Sequence, residues 1–221
     1  VSCTLKEVYN NEVRADNCIL DIPTIQRDNF DIIGYNTDSN GKTNDDSIDM
    51  KAHQINIDKN NNGNKYYAIS KRKIDITYDK NGVTSLTKDS DTCTIWNAAT
   101  SCEITTPKIT RDGFEVHGYS TDKDATSENN NLVPHNSKYL VDENHKYYAI
   151  TSKYIEDKFY INGALGLTDV SGKIVNTDVN RSCTIYNRET KCSITTPAIA
   201  ASYNTPDIVG FATKSNATVK D

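Results

Sequence analysis

The chain holds few of the residues that fill a large oily core. It has one methionine, one tryptophan and four phenylalanines among 221 residues. Small domains, which keep much of their surface wet, suit such a composition better than a single large core. No apolar run approaches the roughly 18 residues a helical membrane span requires, so no membrane insertion is expected in this segment. Charge of one sign is also lacking. The 25 basic residues are scattered among 30 acidic ones for a net charge of −5, and no basic stripe is offered to nucleic acid. The chain begins with Val1 and shows no signal peptide, and it ends in Asp221 with no anchor. That reads as a processed or excised piece of something longer.

Catalytic signatures are missing too. There is no Gly-rich phosphate loop, no G-x-S-x-G elbow and no H-E-x-x-H. The four histidines, His53, His117, His135 and His145, do not pair at metal-ligand spacing. An enzyme is the least expected class, with no catalytic, cofactor or metal residue to name. The nearest approach to a metal motif is Asp58-Lys59-Asn60-Asn61-Asn62-Gly63, the first half of a calcium loop. Its twelfth position is Ile69 rather than an acid, so a polar turn is the simpler reading. The triplets Asn180-Arg181-Ser182 and Asn216-Ala217-Thr218 match the glycosylation pattern, but chance supplies such triplets in an Asn-rich chain.

What the chain does have is repetition. Cys3, Cys93 and Cys183 each open a segment closed by a second cysteine, Cys18, Cys102 and Cys192. Pro23, Pro107 and Pro197 follow, then Gly34-Tyr35, Gly118-Tyr119 and Gly210-Phe211. Two copies end alike, in Lys65-Tyr66-Tyr67-Ala68-Ile69 and Lys146-Tyr147-Tyr148-Ala149-Ile150. The period is too long for a solenoid rung and suits small tandem domains. They are expected at 1–72, lacking an opening strand, at 73–155, complete, and at 156–221, lacking a closing strand.

The cysteine gaps are wide for zinc or C-x-x-C redox chemistry. Local disulfides Cys3–Cys18, Cys93–Cys102 and Cys183–Cys192 are therefore expected, with metal binding and free thiols as the alternatives. Disulfides imply a place outside the cell or in an oxidising compartment.

Thirteen tyrosines and abundant Asn, Asp, Ser and Thr form the palette of a β-rich extracellular protein. Ile74-Asp75-Ile76-Thr77-Tyr78 alternates as a half-buried strand does, and Asn81-Gly82 is a turn signal, repeated at Asn162-Gly163. The cysteine pairs are expected to tie the two strands of a hairpin. Segments 37–49 and 121–136 read as polar loops. Residues 47–54 and 136–141 have room for a helical turn. The fold class is mainly β.

The order of Ile74 to Gly82, Pro107, Arg111-Asp112-Gly113-Phe114, Gly118-Tyr119-Ser120-Thr121 and Tyr147-Tyr148-Ala149-Ile150 resembles the InlB B-repeat family, also called the Listeria-Bacteroides repeat. Two features depart from its pattern: an aromatic other than Trp follows the glycine, and the cysteine hairpin is added. The resemblance implies tandem β-grasp-like modules on a bacterial cell surface. It maps no catalytic residue.

The expected function is then non-enzymatic: a structural stalk, a coat, or the subunit of a self-assembling filament. Partners would be neighbouring repeats of a longer chain, or copies of itself joined by strand complementation. The alternative is an adhesin whose long loops bind a glycan or host protein, with Trp96, Tyr66, Tyr67, Tyr147 and Tyr148 as candidate stacking residues.

Overall fold

The computed structural model describes residues 17–58, 63–129, 131–201 and 208–214. Every regular element among them is a β-strand. In chain order the first eight are β1 (Asn17–Asp21), β2 (Asp31–Asn36), β3 (Ile48–Asp49), β4 (Gln54–Asp58), β5 (Tyr67–Asp79), β6 (Ser85–Leu86), β7 (Ser90–Trp96) and β8 (Cys102–Thr105). The rest are β9 (Ile109–Thr110), β10 (Glu115–Ser120), β11 (Lys138–Val141), β12 (His145–Phe159), β13 (Gly166–Thr168), β14 (Ile174–Val175), β15 (Val179–Tyr186) and β16 (Ile199–Ala200).

Neither of the two compact units is contiguous in sequence. Unit 1 is Val1–Thr77, Ser90–Thr106 and Ser137–Lys146. Unit 2 is Tyr78–Asp89, Pro107–Asn136 and Tyr147–Asp221. The cysteine segment of the second copy therefore lies with the first copy, and that of the third copy lies with the second.

In unit 1, β2 and β7 both pair antiparallel with β5, β2 along its start and β7 along its later part. Alternation decides which side chains go in: Ile74 and Ile76 are buried while Lys73, Asp75 and Thr77 face out. Ile95 on β7 and Ile69 on β5 join them in the core. Strands β1 and β3 flank β4, and β8 pairs with β11.

Unit 2 repeats the plan. β10 and β15 pair antiparallel with β12, and β13 carries β14 and β16. In both units the register shifts at the glycine before the aromatic residue, between Ile32 and Gly34 and between Val116 and Gly118. The glycines have φ of 143° and 127°. A Cβ on Gly118 would strike the Val133 carbonyl oxygen. Gly118→Ala is thus expected to destabilise unit 2 by about 2–4 kcal/mol, since both conformation and space oppose it. Urea unfolding measures this, and a loss below about 1 kcal/mol would mean the Val133 loop yields freely.

Tyr119, next to that glycine, is fully buried. Its hydroxyl donates to the Pro107 carbonyl at 3.2 Å, and its ring lies 5.1 Å from that of Tyr78. Tyr147 stacks on Tyr78 with ring centroids 6.1 Å apart. Burial, with Tyr78 beside it, pushes the Tyr119 phenol's pKa well above its ordinary value. The folded state then holds a proton that the unfolded chain releases near about pH 10. Stability contributed this way is intact below that pH and falls as pH rises beyond it. Tyr119→Phe is expected to flatten the alkaline branch of a stability profile; an unchanged branch would assign the effect elsewhere.

The helical turns expected at 47–54 and 136–141 are absent. The first is β3 followed by a tight turn, where the Asp49 carboxylate accepts the Lys51 and Ala52 amides at 2.8 and 3.0 Å. The second is β11, whose backbone groups pair with β8 instead of closing a helical turn.

Candidate functional site

Four short pieces of unit 1 meet at two polar residues, Arg27 and Asn97. Arg27 follows Pro23 by four residues. Its Nη1 donates to Ser70 Oγ at 3.0 Å and to the Asn97 carbonyl, and its Nη2 donates to the Ala99 carbonyl at 3.3 Å. The guanidinium lies 3.4 Å from the Phe30 ring centroid, where a planar cation is favoured. Asn97 has φ of 49°, a conformation Asn tolerates better than most residues. Its backbone amide donates to the Ser70 carbonyl and its Oδ1 accepts the Ser70 amide, at 2.9 and 3.2 Å. Its Nδ2 donates to the Ser39 and Gly41 carbonyls at 3.0 and 3.1 Å. One asparagine thus ties the turn of the cysteine segment to strand β5 and to the 37–49 loop.

Unit 2 builds the same clasp from equivalent positions. Arg111 Nη1 donates to Thr151 Oγ1 at 2.8 Å and to the Asn187 carbonyl, and Nη2 to the Glu189 carbonyl at 3.4 Å. The Phe114 ring centroid is 3.5 Å from the guanidinium. Burial lowers the Arg111 pKa from its ordinary value, which leaves the side chain charged. Asn187, with φ of 48°, donates its amide to the Thr151 carbonyl at 2.9 Å and accepts the Thr151 amide at 3.1 Å. Its Nδ2 reaches the Ala125 and Lys123 carbonyls at 2.8 and 3.3 Å. Asn81 of the Asn-Gly turn backs this site, donating to the Lys123 and Ala149 carbonyls at 2.7 and 3.1 Å.

Disulfides hold the segments that carry these asparagines. Cys93–Cys102 and Cys183–Cys192 each join Cα atoms 5.9 Å apart. They do not tie the strands of a paired hairpin. β7 pairs with β5 and β8 pairs with β11, so Cys93–Cys102 pins a corner between two sheets. Cys18 is also disulfide-bonded, and Cys3 lies outside the described residues. Such bonds fit an extracellular or otherwise oxidising environment.

The other sequence candidates do not converge on these clasps. Of the calcium-like run, residues 59–62 lie outside the described residues. Among the described residues no three His, Cys, Asp or Glu side chains cluster as a metal site would, and no helix is long and apolar enough to cross a membrane. His117 Nε2 lies 2.8 Å from Ser152 Oγ on the neighbouring strand, and His135 Nδ1 accepts the Ile109 amide at 3.4 Å. Of the tyrosine pairs, Tyr147 is core, Tyr66 and Tyr148 are half-buried and Tyr67 is exposed; Trp96 is half-buried. An open hollow of about 430 Å³ lies among Thr168, Asp169, Arg181, Ser182 and Thr195. Its charged groups are spent on its own wall. Arg181 Nη2 donates to the Thr168 and Asp169 carbonyls, while the Asp169 carboxylate accepts from Ser171 and Lys173. The Ser171 hydroxyl, foremost, lowers the Asp169 pKa.

Neither a family model, nor a curated protein, nor a solved structure matches the chain. The clasp was hidden in the sequence because Arg27 and Arg111 read as turn residues. The available signal was recurrence: an aromatic-Asn step, Trp96-Asn97 and Tyr186-Asn187, sits at the same place in two cysteine loops.

Proposed function

We propose that the chain is a segment of a non-enzymatic extracellular repeat protein, a stalk or coat of tandem β-grasp-like modules on a bacterial surface. The observation that carries this reading is the clasp crossing between copies. Arg27 of the first copy grips Asn97 of the second, and Arg111 of the second grips Asn187 of the third. Each module is closed by the disulfide corner of its neighbour, so tension on the chain loads hydrogen bonds and strand ladders in more than one copy. The long loops also support a structural role rather than an adhesive one. Loops 37–49 and 121–136 are tied down by the Asn97 and Asn187 amides.

Pulling single oxidised molecules end to end tests the proposal. Cooperative rupture peaks are expected, and reduction should lengthen the released chain by about 2.5 nm for each Cys-x8-Cys loop freed. Extension without peaks would sink the load-bearing role. Saturable binding to a glycan panel would favour the adhesin instead.

A further inference from the structure

The third copy holds half of a module already formed. Ile208-Val209-Gly210-Phe211 is equivalent to Ile32-Ile33-Gly34-Tyr35 of β2 and Val116-His117-Gly118-Tyr119 of β10. In the two earlier copies these residues are paired with a closing strand: Gly34 with Ile69 and Tyr35 with Ala68, Gly118 with Ile150 and Tyr119 with Ala149. Residues 208–211 form no ladder among the described residues, and Ile208 and Val209 are 46% and 63% exposed. Yet the local geometry of the paired state is present. Gly210 has φ of 131°, between the 143° and 127° of its two bulge equivalents.

The aromatic core of this half-module is also in place. Phe159 and Phe211 stand where Tyr78 and Tyr119 stand in the second copy. Their rings are 5.0 Å apart, against 5.1 Å for the tyrosine pair. The third ring of that cluster, Tyr147, comes from the closing strand. Other contacts are missing in step. A Cβ on Gly82 would meet the backbone of Arg188 in the next copy's cysteine turn, whereas one on its equivalent Gly163 meets no atom of the described residues within 4 Å. Segment 192–195, equivalent to β8, forms no strand.

We propose that Ile208–Phe211 is an acceptor edge for one antiparallel strand of the Tyr-Tyr-Ala-Ile-Thr type. The register follows from the two filled copies. A small residue faces Phe211, as Ala68 and Ala149 face Tyr35 and Tyr119. A branched Ile faces Gly210, and a hydroxyl residue faces Ile208, as Ser70 and Thr151 face Ile32 and Val116. An aromatic two residues before the alanine stacks on Phe159, as Tyr147 stacks on Tyr78. Main-chain bonds supply affinity and these pockets supply selectivity. The proposal deepens the interlocked-repeat reading and rests on it.

A synthetic peptide with the sequence of residues 145–152 tests the site on the intact oxidised chain. Amide hydrogen exchange at 208–212 is expected to slow about tenfold or more at saturation, with the chain remaining monomeric. A peptide carrying Ile150→Pro should give no slowing, and neither should the chain variant Phe211→Ser with the unaltered peptide. No slowing at any peptide concentration overturns the proposal. So does equal slowing by a scrambled peptide, which would make the edge generic. Protection without peptide, accompanied by a dimer mass, overturns it in favour of a second copy as occupant. The rupture peaks of units 1 and 2 do not depend on this edge, so its failure is separable from failure of the stalk.

Discussion

Asn187→Ala is expected to cost unit 2 about 3–5 kcal/mol, a large share of the stability a domain of this size holds. The side chain is 5% exposed, and Thr151, whose amide it accepts, is fully buried. Alanine leaves that N–H without its partner, at a cost of about 1–3 kcal/mol, and strips a donor from the Ala125 and Lys123 carbonyls. It also puts a Cβ residue with no local hydrogen-bonding group at φ of 48°, for about 1 kcal/mol more. Asn187→Gly separates the two contributions, because glycine takes that φ without penalty, and should recover about 1 kcal/mol. Urea unfolding with exchange read at 115–120 gives both numbers. A loss below about 1 kcal/mol for the alanine variant would show that water replaces the side chain, and the clasp would lose its importance.

Removing one disulfide is expected to damage the copy before it. The doubly substituted Cys93→Ser, Cys102→Ser chain loses a closed loop worth about 2.5–3 kcal/mol in unfolded-state entropy. Because β7 pairs with β5 and Asn97 fixes Ser70, faster exchange should appear at 31–36, more than fifty residues upstream of either cysteine. Residues 115–120, in the same copy as the lost bond, should keep their protection. Removing Cys183 and Cys192 should reverse the pattern. Exchange rising only beside the substituted cysteines would mean that the cysteine turn of one copy does not hold the strands of the copy before it.

Much of the local structure was legible in the chain. Alternation at 73–78 marks a strand with Ile74, Ile76 and Tyr78 buried, and Asn81-Gly82 adopts the two positive φ angles of a tight turn, 47° and 95°. The cysteine pairs at 93–102 and 183–192 bond as their spacing suggests. What local pattern does not encode is which strand pairs with which. The boundaries drawn at 72/73 and 155/156 fall inside β5 and β12, single strands of 13 and 15 residues. Closing strand and opening strand look like separate elements because their burial pattern changes. At the bulge Ile69 and Ser70 are both buried, whereas from Lys73 onward burial alternates. The clasp is invisible to local pattern for the same reason: its partners are 70 and 76 residues apart, beyond any window that reads propensity.

That separation also sets a timetable. A chain made from its N-terminus emerges at about 5–20 residues per second, so Arg27 waits roughly 4–14 s before Asn97 exists to receive it. Through that interval β2 and the start of β5 are available while β7 and its disulfide corner are not. In that interval the edge of β5 that later takes β7 is open to pairing with another chain. The same order recurs at the next copy, where Arg111 precedes Asn187 by 76 residues, so each cysteine turn arrives late to a sheet already made.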